Sequence, residues 1–326
     1  MDRRAFIEAL AGALLAAPLA AGAQQGKRVR IGFLSGNPPS DTRDAFDAFR
    51  MKLRDLGYVE GRNLLIESRY ADARYERLPQ LVAELLRLRV DVVFTYGTPG
   101  SLAAKHATTT IPIVFAGVAD PLEIGLVAAL STPGANVTGV TSNNPELSAK
   151  RVSLLKEGVP AASRLAVLAN PEFKITPSMV METTLAARAL GVEVKVVETR
   201  RPQDLAKAFE AMSAAKANAL VVLVDPMFIA ERRRIAELAL SSRIPAMYHL
   251  RQFVEAGGLI SYGVEYTEAF QQGAVLVDKV LKGAKPAELP VEQPWRFALT
   301  INLRTAKALG LTIPPSLLLR ADQVIE

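Results

Sequence analysis

The stretch Asp91 to Pro121, DVVFTYGTPGSLAAKHATTTIPIVFAGVADP, decides the fold. Val92 to Thr95 reads as a short buried strand. A Tyr-Gly-Thr-Pro turn then opens a helix, with Thr98 placed as an N-cap and Pro99 at the first helical position. Ile113 to Ala116 is a second apolar strand, and it ends in a loop that carries Asp120. Two parallel strands therefore spill polar loops at the same edge. In open α/β sheets that edge, outside the carboxyl ends of the strands, is where ligands bind.

Working outward, the pattern before this stretch alternates strand and helix. Val29 to Leu34 is a strand, and Asp41 to Leu56 is a helix whose Phe46, Phe49, Leu53 and Leu56 recur at helical spacing before Gly57 stops it. Leu64 to Tyr70 is a strand, and Leu78, Leu81, Val82 and Leu85 line a second helix. This order argues for a doubly wound parallel sheet covered on both faces. After the strand Asn136 to Thr141 the pattern restarts, with strands at Arg164 to Ala169, Val192 to Val197, Ala219 to Val224 and Pro245 to Tyr248 separated by helices at Ser178 to Leu190, Leu205 to Ala214 and Ile229 to Leu240. A weak internal repeat aligns Leu34-Ser35 with Ala169-Asn170, Leu56-Gly57 with Leu190-Gly191, and Ile111-Pro112 with Ile244-Pro245. The fold class expected is two doubly wound α/β lobes. The helix Thr267 to Leu281 and the strand Phe297 to Ile301 are too isolated to form a third unit and must add to the lobes. Crossings at Thr141, Tyr262 to Glu265 and Glu292 to Trp295 would make a three-segment hinge, with Trp295 packed beside it. The expected division is 24–140 plus 264–292 for lobe 1, and 141–263 plus 293–326 for lobe 2.

Composition narrows the function. Half of the 326 residues are apolar and 22% are charged, as in ordinary globular proteins. The formal charge is +6, with basic residues interleaved among acidic ones rather than clustered on one face, so nucleic acid is not an expected partner. Arg232-Arg233-Arg234 reads as a solvated helix face. At the N-terminus, Arg3-Arg4 precede an apolar run from Ala9 to Ala20 and the small-residue site Ala21-Gly22-Ala23. This is the form of an export signal of residues 1–23, cleaved after Ala23 and resembling the twin-arginine type, with the general export route left open. The expected location is the periplasm. There is no cysteine, which removes lipid attachment at the cleavage site, thiolate chemistry and cysteine metal sites.

Enzymatic readings find little to build on. His106 and His249 are the only histidines and lack metal-ligand spacing. Gly32-Phe33-Leu34-Ser35-Gly36 lacks the third glycine of a dinucleotide fingerprint, no P-loop lysine is present, and no nucleophile elbow is seen. No metal or cofactor is expected. The loops at strand ends supply a different chemistry. Helix starts at Ser35 to Asp41 and at Gly97 to Ser101 offer backbone N–H groups to a carboxylate, and Thr98 either caps its helix or edges the cleft as well. Asp120 and Asp225, each before a proline, suit a ligand ammonium or an Asx-type turn. Asn170 is the repeat partner of Ser35 and can bridge from the second lobe. Tyr96, Tyr248 and Tyr262 lie at strand ends, where a flat ring can stack on an apolar ligand.

Phe33-Leu34-Ser35, Leu56-Gly57-Tyr58-Val59-Glu60-Gly61, Thr98-Pro99, Ile111-Pro112-Ile113-Val114-Phe115, Asp120-Pro121, Asn136-Val137-Thr138-Gly139, Asp225-Pro226 and Glu255-Ala256-Gly257-Gly258-Leu259 form an ordered set. Together with Leu289-Pro290-Val291-Glu292-Gln293-Pro294 and Ala308-Leu309-Gly310-Leu311, the set resembles the ABC-transporter substrate-binding proteins of the tryptophan-binding TrpX-like group. The resemblance runs from about Val29 to the C-terminus. It implies the type 1 periplasmic binding fold, a monomeric receptor for a small amino acid-like or aromatic, carboxylated ligand, and an ABC permease of the inner membrane as partner. On that reading Ser35, Tyr96, Gly97, Thr98, Asp120, Asn170, Asp225, Tyr248 and Tyr262 are the expected ligand-binding residues. A ligand-sensing protein feeding a membrane signalling receptor, or an α/β enzyme, are the alternatives.

Overall fold

The computed structural model describes residues 28–142, 144–293 and 296–326. The proposed export signal and Trp295 lie outside them. The first half runs β1 (Val29–Ser35), α1 (Pro39–Asp55), β2 (Leu64–Tyr70), α2 (Leu78–Arg87), β3 (Val92–Tyr96), α3 (Gly97–Ala107), β4 (Ile113–Val118) and β5 (Val137–Thr141). These strands are all parallel, in the order β2-β1-β3-β4-β5. β3 is buried at every residue, as the centre of a sheet covered on both faces must be. Phe33, Phe49 and Phe94 are fully buried on the α1 face. Phe49 and Phe94 stack with ring centroids 4.1 Å apart. Removing a ring from such a core costs about 3–5 kcal/mol.

The second half runs α4 (Asn144–Gly158), β6 (Arg164–Ala169), α5 (Thr176–Ala189), β7 (Glu193–Glu198), α6 (Leu205–Ala214), β8 (Ala219–Val222), α7 (Pro226–Ala230), α8 (Arg232–Ser241), β9 (Ala246–Tyr248), α9 (Arg251–Glu255) and β10 (Ile260–Val264). After it come α10 (Tyr266–Leu281), β11 (Phe297–Asn302), α11 (Leu303–Ala308), α12 (Pro315–Leu318) and β12 (Gln323–Ile325). The second sheet has the order β12-β11-β10-β9-β8-β6-β7. Its segment β7-β6-β8-β9-β10 has the same order, counted along the chain, as the whole first sheet. The internal repeat is thus a repeat of topology.

Besides the short helix α9 and the edge strand β12, which the sequence reading did not mark, three features depart from it. α4 had no counterpart in it: buried Leu147, Val152, Leu154 and Leu155 occupy more than one side of the helix, so no single apolar stripe marks it. The helix expected over Ile229 to Leu240 is two helices, broken at Glu231. β11 is antiparallel to β10. Its direction follows from the path of the chain. β10 ends at the junction between the sheets, α10 crosses to pack on α1, and the chain returns past Glu292, which pairs with Val140 of β5. A strand that starts where β10 stopped must run back along it.

The chain therefore passes between the sheets three times, after β5, after β10 and after Glu292. α10 is held to the first sheet by Phe270, whose ring meets that of Phe94 edge-on at 5.1 Å. Beside the crossing that follows β10, buried Arg151 of α4 donates from Nε to the carbonyl of Tyr262 at 2.8 Å. Burial lowers its guanidinium pKa to about 10. All the junction segments leave from the carboxyl edges of the sheets, so those edges face each other.

Candidate functional site

A narrow cavity of about 40 Å³ lies between the facing edges. The first sheet contributes Gly36 and Asn37 after β1, Tyr75 from the short turn Tyr75–Arg77, and Tyr96, Gly97 and Thr98 where β3 becomes α3. The second sheet contributes Phe173 after β6 and Val224, Pro226 and Ile229 after β8, while Tyr266 at the start of α10 closes one end. Among the described residues, no charged side chain lines this cavity.

Four aromatic rings, those of Tyr75, Tyr96, Phe173 and Tyr266, stand in its wall. Tyr96 and Tyr266 meet edge-on with centroids 5.2 Å apart. They close over Gly117, where β4 has an irregular register against β5. Gly117 has φ +69°, and a Cβ there would lie 2.5 Å from Cε1 of Tyr266. Burial raises the phenol pKa of Tyr266 to about 12 and holds that of Tyr96 well above its ordinary value. Both hydroxyls stay protonated at physiological pH and act as neutral donors.

The polar groups near the site are backbone at the wall of the first lobe and one buried pair, Asn170 and Asp225, behind the wall of the second. α3 begins at Gly97, after Tyr96 in extended conformation and with no side-chain cap. This corrects the reading of Thr98 as the cap. Thr98 lies inside the first turn, and the uncapped N–H groups of that turn lie at the cavity, an arrangement that favours an anion. Beneath it, Thr95 and Ser101 share a hydrogen bond of 2.8 Å, and Ser101 donates to the carbonyl of Gly97 at 2.8 Å, fixing the turn. Across the cleft, Asn170 Nδ2 donates to Asp225 Oδ2 at 3.0 Å. The other oxygen of Asp225 caps α7 by accepting from the N–H groups of Met227 and Phe228 at 2.8 and 3.2 Å. Asp225 is only 2% exposed, and desolvation outweighs these bonds, raising its pKa to about 6.

The remaining sequence candidates fall elsewhere. Ser35 is buried and spends its hydroxyl on both backbone groups of Asn37, shaping the loop rather than lining the cavity. Asp120 lies one residue beyond Ala119, which does line it, and accepts from the N–H groups of Leu122 and Glu123 at 3.0 and 2.9 Å in an Asx-type turn. Tyr248 is fully buried in the second core, stacked on Phe253 at 4.7 Å. Tyr262 packs near Phe297 and turns away, while Gly263 and Val264 edge a neighbouring cleft. Both displacements follow from strand alternation in a sheet covered on both faces: successive side chains point into opposite layers, and neither ring points off the strand end toward the cavity. Sequence reading missed Tyr75, Phe173 and Tyr266. Each is an aromatic within a few residues of a strand end or hinge, the signal that selected Tyr96.

The facing lobes also touch directly around the cavity. Tyr75 Oη donates to the carbonyl of Pro226 at 3.1 Å, and Ser178 Oγ donates to Glu123 at 2.8 Å. Beyond the Tyr96–Tyr266 wall lies a much larger cleft of about 540 Å³. Arg232 spans it to Asp41 at 2.7 Å and Arg251 approaches Asp44 at 3.6 Å. Arg232 is thus an inter-lobe partner rather than part of a solvated face.

The chain matches the family described as ABC transporter substrate binding protein over residues 38–325. It is 27% identical over 285 residues to a tyrosine-binding protein of Clostridioides difficile (strain R20291), covering 87% of this chain and 81% of that one. The structure of an ABC domain in complex with L-Trp from Streptococcus pneumonia superposes with a TM-score of 0.85 at 26% identity, over 92% of this chain and all of the other. A ligand-free, open substrate-binding protein with adhesive properties from Clostridium difficile gives 0.71 at 23% identity, over 91% and 99% of the two chains. Among the described residues no helix is long and apolar enough to cross a membrane.

Proposed function

Because this chain belongs to the ABC transporter substrate-binding protein family, whose members are binding proteins and not enzymes, we propose that it is an exported receptor for a neutral aromatic α-amino acid. The observation that carries this reading is the surroundings of the cavity, which has an uncapped helix start on one lobe and, on the other, a buried carboxylate just behind the wall, between the lining residues Val224 and Pro226. In the proposed pose the ligand carboxylate meets the first turn of α3, where N–H groups and the helix dipole favour negative charge. The ammonium meets Asp225, which becomes fully charged on pairing. The apolar side chain lies among Tyr75, Phe173 and Ile229. Thr98 and Asn170 complete the polar contacts, and the lack of charged lining disfavours acidic and basic side chains. The tyrosine-binding relative and the Trp-bound structure support the ligand class.

The division into two lobes gives this pose its signal. A ligand shifts an open–closed balance only by its different affinity for the two states, and one that bridges α3 and Asp225 gains its second charged contact only on closure. The closed form would then be what an ABC permease recognises, with the protein working as a monomer in the periplasm. Mass spectrometry of the small molecules that co-purify with the mature chain, followed by calorimetry with each, tests the reading. Retention of tyrosine, tryptophan or phenylalanine is expected. A retained sugar or dicarboxylate would overturn it.

A further inference from the structure

Tyr75 is the one ring of the cavity whose hydroxyl is engaged with the opposite lobe. It sits in the turn after β2, on the first lobe, and is bonded at 3.1 Å to the carbonyl of Pro226, the first residue of α7 in the second. A phenol has a single proton to donate. The 3.5 Å contact with Asn37 Oδ1 is the longer one, so the proton goes to Pro226. Burial, reinforced by the negative charges of Asp225 and Asp41, raises the pKa of this phenol, and it remains a donor throughout the physiological range.

Two further features hold the ring in place. Gly36 makes room for it: a Cβ at that position would stand 2.7 Å from Cε1 and 3.0 Å from Cδ1 of Tyr75. The backbone leading to it is strained, with Asp72 at φ +54° and Ala73 at φ +62°. Alanine has no side-chain group to compensate a left-handed conformation, so such a residue persists only where its surroundings impose it. Here the N–H of Ala73 bonds to the carbonyl of Gly36 at 2.8 Å, and Arg77 pairs with Asp72 at 3.2 Å. The strained segment, the glycine and the inter-lobe bond converge on one rotamer of one side chain.

We propose that Tyr75 is a positioning residue that latches the lobes by its hydroxyl, independently of what is bound, and presents only its ring to the ligand. This rests on the receptor reading above and goes beyond it by separating two roles, closure and recognition, within one side chain. A latch of this kind scales the affinity for every ligand by the same factor, because it acts on the balance between open and closed forms and makes no contact that differs between ligands.

Tyr75→Phe keeps the ring and removes the bond. Affinities for L-tyrosine, L-tryptophan and L-phenylalanine are expected to fall together by about 2- to 12-fold, the worth of one hydrogen bond, through faster dissociation. The ligand-free variant should also give a larger radius of gyration by small-angle scattering. Gly36→Ala, which pushes the ring aside, should enlarge the ligand-free protein in the same way, and the double variant should be no larger than the larger single one, since both break the same contact. A loss confined to one amino acid would overturn the proposal, because the hydroxyl would then be reading the ligand. Unchanged affinities for all three would also overturn it. If none of these amino acids binds even the unaltered protein, the receptor reading fails, and the ligand-free scattering decides the latch alone: an increase for Tyr75→Phe supports it and equal dimensions reject it.

Discussion

Asp120 and Asp225 are written alike in the sequence, each an aspartate before a proline after an apolar strand, and the fold gives them opposite tasks. Asp120 is partly exposed and closes a turn on its own loop. Asp225 is buried, shares one oxygen with Asn170 and caps a helix with the other, yet its charged form still lacks enough compensation. A carboxylate left in that condition is costly to the fold, and such sites tend to be those where a ligand supplies the missing charge. The difference comes from where each loop lands. Asp225 lies between Val224 and Pro226, both of which line the cavity, whereas Asp120 is past its edge.

Four measurements break or sharpen this contrast. The largest effect is expected from Asp225→Asn, which keeps the shape but not the charge: affinity for an aromatic amino acid should fall by about 10- to 150-fold, the value of a charge-assisted bond. The second concerns pH. With Asp225 at about 6 in the free protein, ammonium binding below that pH must expel a proton, so affinity should drop about fivefold from pH 6 to pH 5 and approach a tenfold drop per unit below that. Asp225→Asn should lose this dependence, and Asp120→Asn should keep it.

The third is stability. The folded pKa of Asp225 is raised from 3.8 to about 6. Between those values the native state holds a proton that the unfolded chain has released. The group therefore stabilises the fold most at low pH, and its contribution is lost as pH rises through about 6. In Asp225→Asn that loss disappears, so in the absence of ligand the melting temperature at pH 8 should rise by a few degrees, while near pH 4 the two proteins should converge. The smallest effect is expected of Asp120→Asn. Asparagine makes the same turn, and affinity should change by no more than about twofold in calorimetry.

The contrast also marks how much could be read from residues alone. The lobes, the repeat and the cleft edge follow from strand and helix periods that burial enforces, and Tyr96, Gly97 and Thr98 were placed at the cavity because they end the most strongly patterned strand. Tyr248 and Tyr262 were misplaced because a strand end does not state which face its last residues present. Tyr75 and Phe173 were passed over for a related reason. Their loops enter the cleft through left-handed backbone at Asp72 and Ala73, and through the carbonyl of Asn170 accepting from the N–H of Phe173 at 3.2 Å. Neither has a periodic signature. That Asp120 and Asp225 differ in charge cost depends on desolvation by residues distant in sequence, and no local pattern encodes it.

The central claim is that the amino group of the ligand is held by Asp225. Calorimetry at pH 7.5 with L-tyrosine and with 3-(4-hydroxyphenyl)propanoate, which differ only in the ammonium, tests it most directly in the unaltered protein and in Asp225→Asn. The expected result is binding of L-tyrosine at least about 10-fold tighter than the desamino compound in the unaltered protein, with most of that preference gone in the variant. Equal binding of the two compounds to the unaltered protein, or a preference that survives Asp225→Asn intact, would contradict it.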